Sequence, residues 1–139
     1  MDKKFKVLKI DHIAVAVNSI KESINVFDLL GMKSENIEYV KNEKVNVLKL
    51  HPESTDHTIE LLESVDNSST IQKFLNSKGQ GLHHIALEVD DIYNAIKYLE
   101  YNNIEMIYSE PRIGSDKKLI TFIHPSFSPG ILIEICQTS

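Results

Sequence analysis

Asp11-His12-Ile13-Ala14-Val15-Ala16-Val17 and His83-His84-Ile85-Ala86-Leu87-Glu88-Val89 are two versions of one segment. At a fixed offset His12 falls on His84, Ile13 on Ile85, Ala14 on Ala86 and Val17 on Val89. Ile20 and Ile24 after the first copy match Ile92 and Ile96 after the second. Further on, Thr58-Ile59-Glu60-Leu61-Leu62 resembles Leu132-Ile133-Glu134-Ile135-Cys136, with a slip of two residues. Each half therefore supplies one histidine and one glutamate at matching places. Duplicated units usually pack about a pseudo-twofold axis, so His12, Glu60, His84 and Glu134 are expected to converge and bind one divalent metal ion.

Residues 6–17 alternate and are rich in Val and Ile, which predicts a strand. Ser19-Ile20-Lys21-Glu22 has the form of a capping box, and Ile20, Ile24, Phe27 and Leu30 follow at helical spacing up to Gly31. Three β-prone runs come next, near 36–41, 45–51 and 57–63, with a turn over 52–56. A short helix is expected over 70–78. The β-α-β-β-β order then repeats: a strand at 82–89, a helix over 91–101, and strands near 105–108, 118–124 and 130–136. The predicted fold class is α+β, with two tandem βαβββ modules forming an open curved sheet or barrel around the metal site. Residues 1–139 are expected to form a single domain, with module one at about 6–64 and module two at about 80–137.

Alternation also sorts the two faces. His12, Ala14 and Ala16 share one face of the first strand, and Ile13, Val15 and Val17 share the other. Small residues beside a polar one leave space for a cavity, while the bulky face can pack under helices. A lone His in an apolar strand is more often a satisfied core residue, and a lone Glu is more often solvent-facing. Retention of both ligand types in both halves favours metal ligation. Imidazole and carboxylate without thiolate suit Co²⁺, Zn²⁺, Ni²⁺, Mn²⁺ or Fe²⁺.

His83 is expected on the opposite face, as a structural or supporting residue. His51 and His57 flank a turn and are expected to be exposed, and His124 suits either the cavity mouth or, more simply, the surface. Arg112, the only arginine, suits either a fork for a carboxylate or phosphate or a solvated turn. Cys136, the only cysteine, reads as a small core residue and excludes a disulfide framework. A net charge of −5 argues against a nucleic-acid partner. No run of about 18 apolar residues appears, so no membrane association is expected. The N-terminal residues lack the apolar run of a signal peptide, which makes the cytoplasm the expected location.

These residues resemble the vicinal oxygen chelate superfamily and, within it, the methylmalonyl-CoA epimerase family. The resemblance rests on Ile10 to Val17, Ser69 to Leu75 followed by Gly81 to Ala86, and Glu88 to Ile92. Glu110-Pro111-Arg112-Ile113-Gly114, His124-Pro125 and Gly130 to Glu134 extend it over nearly the whole chain. It implies that His12, Glu60, His84 and Glu134 hold one divalent ion (Co, Zn, Ni or Mn) that chelates an acyl-CoA thioester substrate. Glu134 would exchange the C2 proton through a metal-stabilised enolate. Where some epimerases carry a second glutamate base this chain aligns Val47, so Glu43 or Glu60 would substitute. The family's His-Pro-Lys becomes His124-Pro125-Ser126, and its glycine-rich turn becomes Gly114-Ser115-Asp116-Lys117-Lys118. A homodimer is the expected assembly. The same quartet also suits glyoxalase I (lactoylglutathione lyase), and a non-catalytic small-molecule-binding member is the further alternative. The 70–78 helix and His83-His84 favour the epimerase.

Overall fold

The alternating run at the start of the chain forms β1 (Val7–Ala16) in the computed structural model, which describes residues 1–138. Ser19 then caps α1 (Ile20–Leu29), its Oγ accepting from the Glu22 N–H at 3.2 Å. Such a bond satisfies one of the donors that a helix N-terminus leaves open. Gly31, at φ +84°, turns the chain out of the helix, a backbone that glycine adopts without a Cβ penalty. Asn103 holds the matching place after the later helix at φ +65°, and asparagine is among the side chains that tolerate this region best.

The chain continues through β2 (Lys33–Ser34), β3 (Glu38–Val40), β4 (Val45–His51), β5 (Thr58–Ser64) and α2 (Thr70–Lys78). It then forms β6 (Gly81–Val89), α3 (Ile92–Tyr101), β7 (Arg112–Ile113), β8 (Leu119–Ile123) and β9 (Leu132–Gln137). The fold is α+β, with parallel and antiparallel strand pairs.

Two compact units are present, one formed by His12–His83 and the other by residues 1–11 with the chain from His84 onward. Their boundaries fall inside β1 and β6, whereas the sequence repeats place residues 6–11 with the first module. Polar bonds and one ring contact hold this leading segment to its unit. The Lys6 N–H donates to Asp90 Oδ1 at 2.7 Å, Asn94 Nδ2 donates to the Lys4 carbonyl, and Phe5 meets Tyr98 edge-on.

In the His12–His83 unit the strand order is β2-β4-β5-β1, with β3 also on β4. Val17, Ile20, Leu48, Leu50 and Leu61 form a core with Ile24 and Phe27 of α1. Ala14, Ala16, Val40, Val45, Val47 and Leu62 form another with Ile71, Phe74 and Leu75 of α2. Each fully buried Leu or Ile here contributes about 1.5–3 kcal/mol. Val15 and Val17 of the bulky face of β1 pack with α1 as expected, whereas Ile13 is exposed. The small-residue face is less open than expected, since Ala14 and Ala16 are covered by that second core.

In the other unit the order is β6-β9-β8-β7. Val89, Ile92, Ala95, Ile96 and Ile135 form the core beneath α3. The expected strand at 105–108 is only a bridge between Met106 and Ile123. The Ile107 N–H donates to the Phe122 carbonyl, but the Tyr108 carbonyl accepts from the Thr121 hydroxyl at 2.6 Å, which diverts the ladder to a side chain. The short β7 carries Arg112, for which a solvated turn is one of the two expectations.

Candidate metal centre

Parallel pairing sets the glutamates beside the histidines in the same way in both units. β1 pairs with β5 so that Ala14 faces Glu60, and β6 pairs with β9 so that Ala86 faces Glu134. Each histidine sits two residues before that alanine, so alternation puts it on the face of the carboxylate. His12 Nδ1 lies 3.4 Å from Glu60 Oε2 in one unit, and His84 Nε2 lies 3.2 Å from Glu134 Oε1 in the other. All four residues are buried, at 3–5% exposure.

Burial makes these pairs informative. A carboxylate removed from water costs several kcal/mol unless it is compensated. An imidazole nitrogen lone pair facing a carboxylate oxygen is repulsive, so in each pair either an N–H proton or a metal ion stands between the two atoms. The donor set of nitrogen and oxygen without thiolate fits a divalent first-row ion.

The surroundings of the pairs differ. Lys49 of β4 stands across from Glu60, whereas Phe122 of β8 stands across from Glu134. The Phe122 ring meets His84 edge-on at 5.6 Å and holds its plane, and Tyr108 lies beyond it at 6.3 Å. The Arg112 guanidinium stacks over the Tyr108 ring, 3.8 Å from its centroid. Arg112 is therefore an anchored cation on an exposed strand rather than a loose turn residue.

The glutamate strands also cap the helices. The Ile20 N–H donates to Glu63 Oε1 at 3.0 Å, and the equivalent Ile92 N–H donates to Gln137 Oε1 at 2.7 Å. Lys118 is bound to Asp11 at 2.7 Å, joining the residue before His12 to the start of β8. Although burial opposes it, the Asp11 hydrogen bond and charge raise the Lys118 pKa above the usual lysine range. Burial pushes the Cys136 thiol far up, with the Asp11 and Glu134 charges adding to it, and Cys136 is a core residue as expected.

Glu43 lies in the turn between β3 and β4, half buried, with its Oε1 out of contact with water. Val45, where β4 begins, pairs with Ser64, four positions along β5 from Glu60, or about 14 Å at strand spacing. The ladder does not set Glu43 beside Glu60. His83 meets Phe74 of α2 edge-on at 5.0 Å. His51 is half buried and 3.6 Å from Glu35, while His57 is exposed. His124 caps the short turn after β8 through its Nδ1 and Ser126. Lys49 escaped the sequence reading because lysine in a strand normally reaches solvent. Its period-two match to buried Val45 and Val47 was the available signal.

Comparison with known proteins extends this picture. Residues 11–122 match the Glyoxalase/Bleomycin resistance protein/Dioxygenase superfamily. The chain is 35% identical to the methylmalonyl-CoA epimerase, mitochondrial, of Dictyostelium discoideum, over 95% of this chain and 80% of that one. It is also 35% identical to the uncharacterized protein YqjC of Bacillus subtilis, over 93% and 91% of the two chains. The crystal structure of methylmalonyl-CoA epimerase from Mycobacterium tuberculosis superposes with a TM-score of 0.90 at 29% identity, over 96% of this chain and 89% of that one. A methylmalonyl-CoA epimerase in complex with methylmalonyl-CoA and NH4+ gives a TM-score of 0.90 at 27% identity, over 96% of each chain.

Proposed function

Because this chain belongs to the Glyoxalase/Bleomycin resistance protein/Dioxygenase superfamily, we propose that it is a metal-dependent epimerase that interconverts the stereoisomers of methylmalonyl-CoA. The observation that carries this reading is the buried His–Glu pair found at the same register in both units. The names and extent of the relatives support the substrate. In this reading His12, Glu60, His84 and Glu134, each of them buried, hold one divalent ion. When bound, the ion supplies Lewis-acid stabilisation of the negative charge that develops on the thioester oxygen.

Glu134 accepts the C2 proton on one face of the substrate. The electron pair of the broken C–H bond moves toward the thioester carbonyl. A second acid returns a proton to the opposite face, and Glu43 and Glu60 are its two candidates. A carboxylate of ordinary pKa, about 4.3, is too weak a base to remove such a proton unaided. The reaction therefore depends on the stabilised carbonyl and on a site that excludes water. Phe122, edge-on to His84, contributes to that exclusion. A cytoplasmic location and a homodimer complete the reading. No helix among the described residues is long and apolar enough to cross a membrane.

Deuterium exchange tests the reaction. In heavy water, one stereoisomer of methylmalonyl-CoA should gain deuterium at C2 as the other isomer appears, with the thioester intact. Absence of exchange by fully metal-loaded protein would reject the reading. Turnover of the methylglyoxal–glutathione adduct instead would point to a lactoylglutathione lyase, and binding without turnover of either would point to a carrier.

A further inference from the structure

Arg112 is the only arginine of the chain, and it stands exposed on β7. Its guanidinium lies over the Tyr108 ring, 3.8 Å from the centroid. Tyr108 is itself held in place. It packs against the buried cluster of Ala86, Ile120, Phe122 and Cys136, and its carbonyl accepts from the Thr121 hydroxyl. Among the described residues no carboxylate pairs with Arg112. A guanidinium placed over a ring still has the N–H groups at its edge to offer an anion.

The strand registers relate this cation to Glu134. Arg112 pairs with Ile120 and Ile120 with Cys136, while Phe122, two residues on, pairs with Glu134. Paired residues, and residues two apart along a strand, project from one face of a sheet. Arg112 therefore shares the face of Glu134, and through Ala86 that of His84. All of these residues belong to one compact unit. Two strand spacings across and two residues along put the Arg112 backbone roughly 12 Å from that of Glu134. The rings of Tyr108 and Phe122 link the guanidinium in series to His84.

That separation decides which anion fits. The free carboxylate of methylmalonyl-CoA is bonded to C2, so it stays with the carbon that Glu134 deprotonates. The phosphates of the same substrate are carried many bonds away, at the far end of the pantetheine arm. We propose that Arg112, held on Tyr108, binds a phosphate of the CoA moiety. This inference rests on the epimerase reading for the identity of the substrate. It makes Arg112 a binding residue that touches none of the reacting atoms. A local cation matters here because the chain carries a net charge of −5 and repels a polyanion at long range. Stacking also restricts the arginine before the ligand arrives, so less side-chain freedom is lost on binding.

Calorimetric titration of the metal-loaded protein at low ionic strength tests it, with methylmalonyl-CoA and with methylmalonyl-pantetheine, which keeps the carboxylate and lacks every phosphate. Arg112→Met should weaken methylmalonyl-CoA about tenfold, the range of one charge-assisted hydrogen bond, and leave the pantetheine form unchanged. Arg112→Lys should retain part of the affinity. Lys117→Met, at an exposed lysine on the turn before β8, should have far less effect. Thermal midpoints of the same samples identify a variant that has lost its fold, and Arg112→Gln then serves in place of Met. Equal weakening of both ligands would overturn the proposal, because it would place the carboxylate at Arg112. An equal loss in Lys117→Met would overturn it too, since the effect would then be general charge. Free CoA separates this inference from the epimerase reading. CoA binding that depends on Arg112 without any C2 exchange would preserve the phosphate site and reject the reaction. C2 exchange with methylmalonyl-CoA affinity unchanged in folded Arg112 variants would preserve the reaction and reject the phosphate site.

Discussion

His84 Nε2 lies 3.2 Å from Glu134 Oε1, with both residues buried, so a proton or a metal ion stands between the two atoms. His12 and Glu60 repeat the arrangement at 3.4 Å in the other unit. Three expectations follow from these pairs and from the ion pair beside them.

If the two pairs serve one ion, purified protein should carry close to one divalent metal per chain. Replacing His12 or His84 with Ala should strip most of it. The same change at His57, which is exposed, or at His51, which pairs with Glu35, should leave it in place. Metal analysis of the four variants decides the matter, and equal occupancy in all of them would remove the assignment.

Glu134→Gln keeps an oxygen that can coordinate but loses the ability to accept a proton at neutral pH. Its turnover should fall by about 10²–10⁴-fold, the usual contribution of a general base, while metal content falls much less. Glu43→Gln addresses the other face of the substrate. Wild-type turnover in that variant would assign the second proton to Glu60 or to another group.

Lys118 gives a pH test of stability. Its pKa is raised, so its contribution is fully present below the unfolded lysine value of about 10.4 and is lost as the pH climbs through the folded value. The thermal midpoint of the wild-type protein should drop as the pH rises above that range. Asp11→Asn, which removes the charge holding Lys118 protonated, should show a shallower drop. Matching declines in the two proteins would show that the Asp11–Lys118 bond is not the cause.

Much of the architecture is determined along the chain itself. The period-two runs and the Ser19 capping pattern depend on neighbouring residues, so β1, α1, β4 and β5 lie close to where their residue patterns place them, as do α2, β6, α3, β8 and β9. Repetition likewise marked His12, Glu60, His84 and Glu134 as equivalent, because duplicated residue types are visible without coordinates. The two-residue strands β2 and β7 were not legible, since each exists only by pairing with a longer strand, β4 or β8. The diverted ladder at Tyr108 depends on a hydroxyl thirteen residues away. The union of residues 1–11 with the later unit depends on Asp90 and Asn94. Only the tertiary structure decided that Lys49 is buried across from Glu60. Burial and cross-strand register arise from how distant segments align, and no local pattern of side chains encodes that alignment.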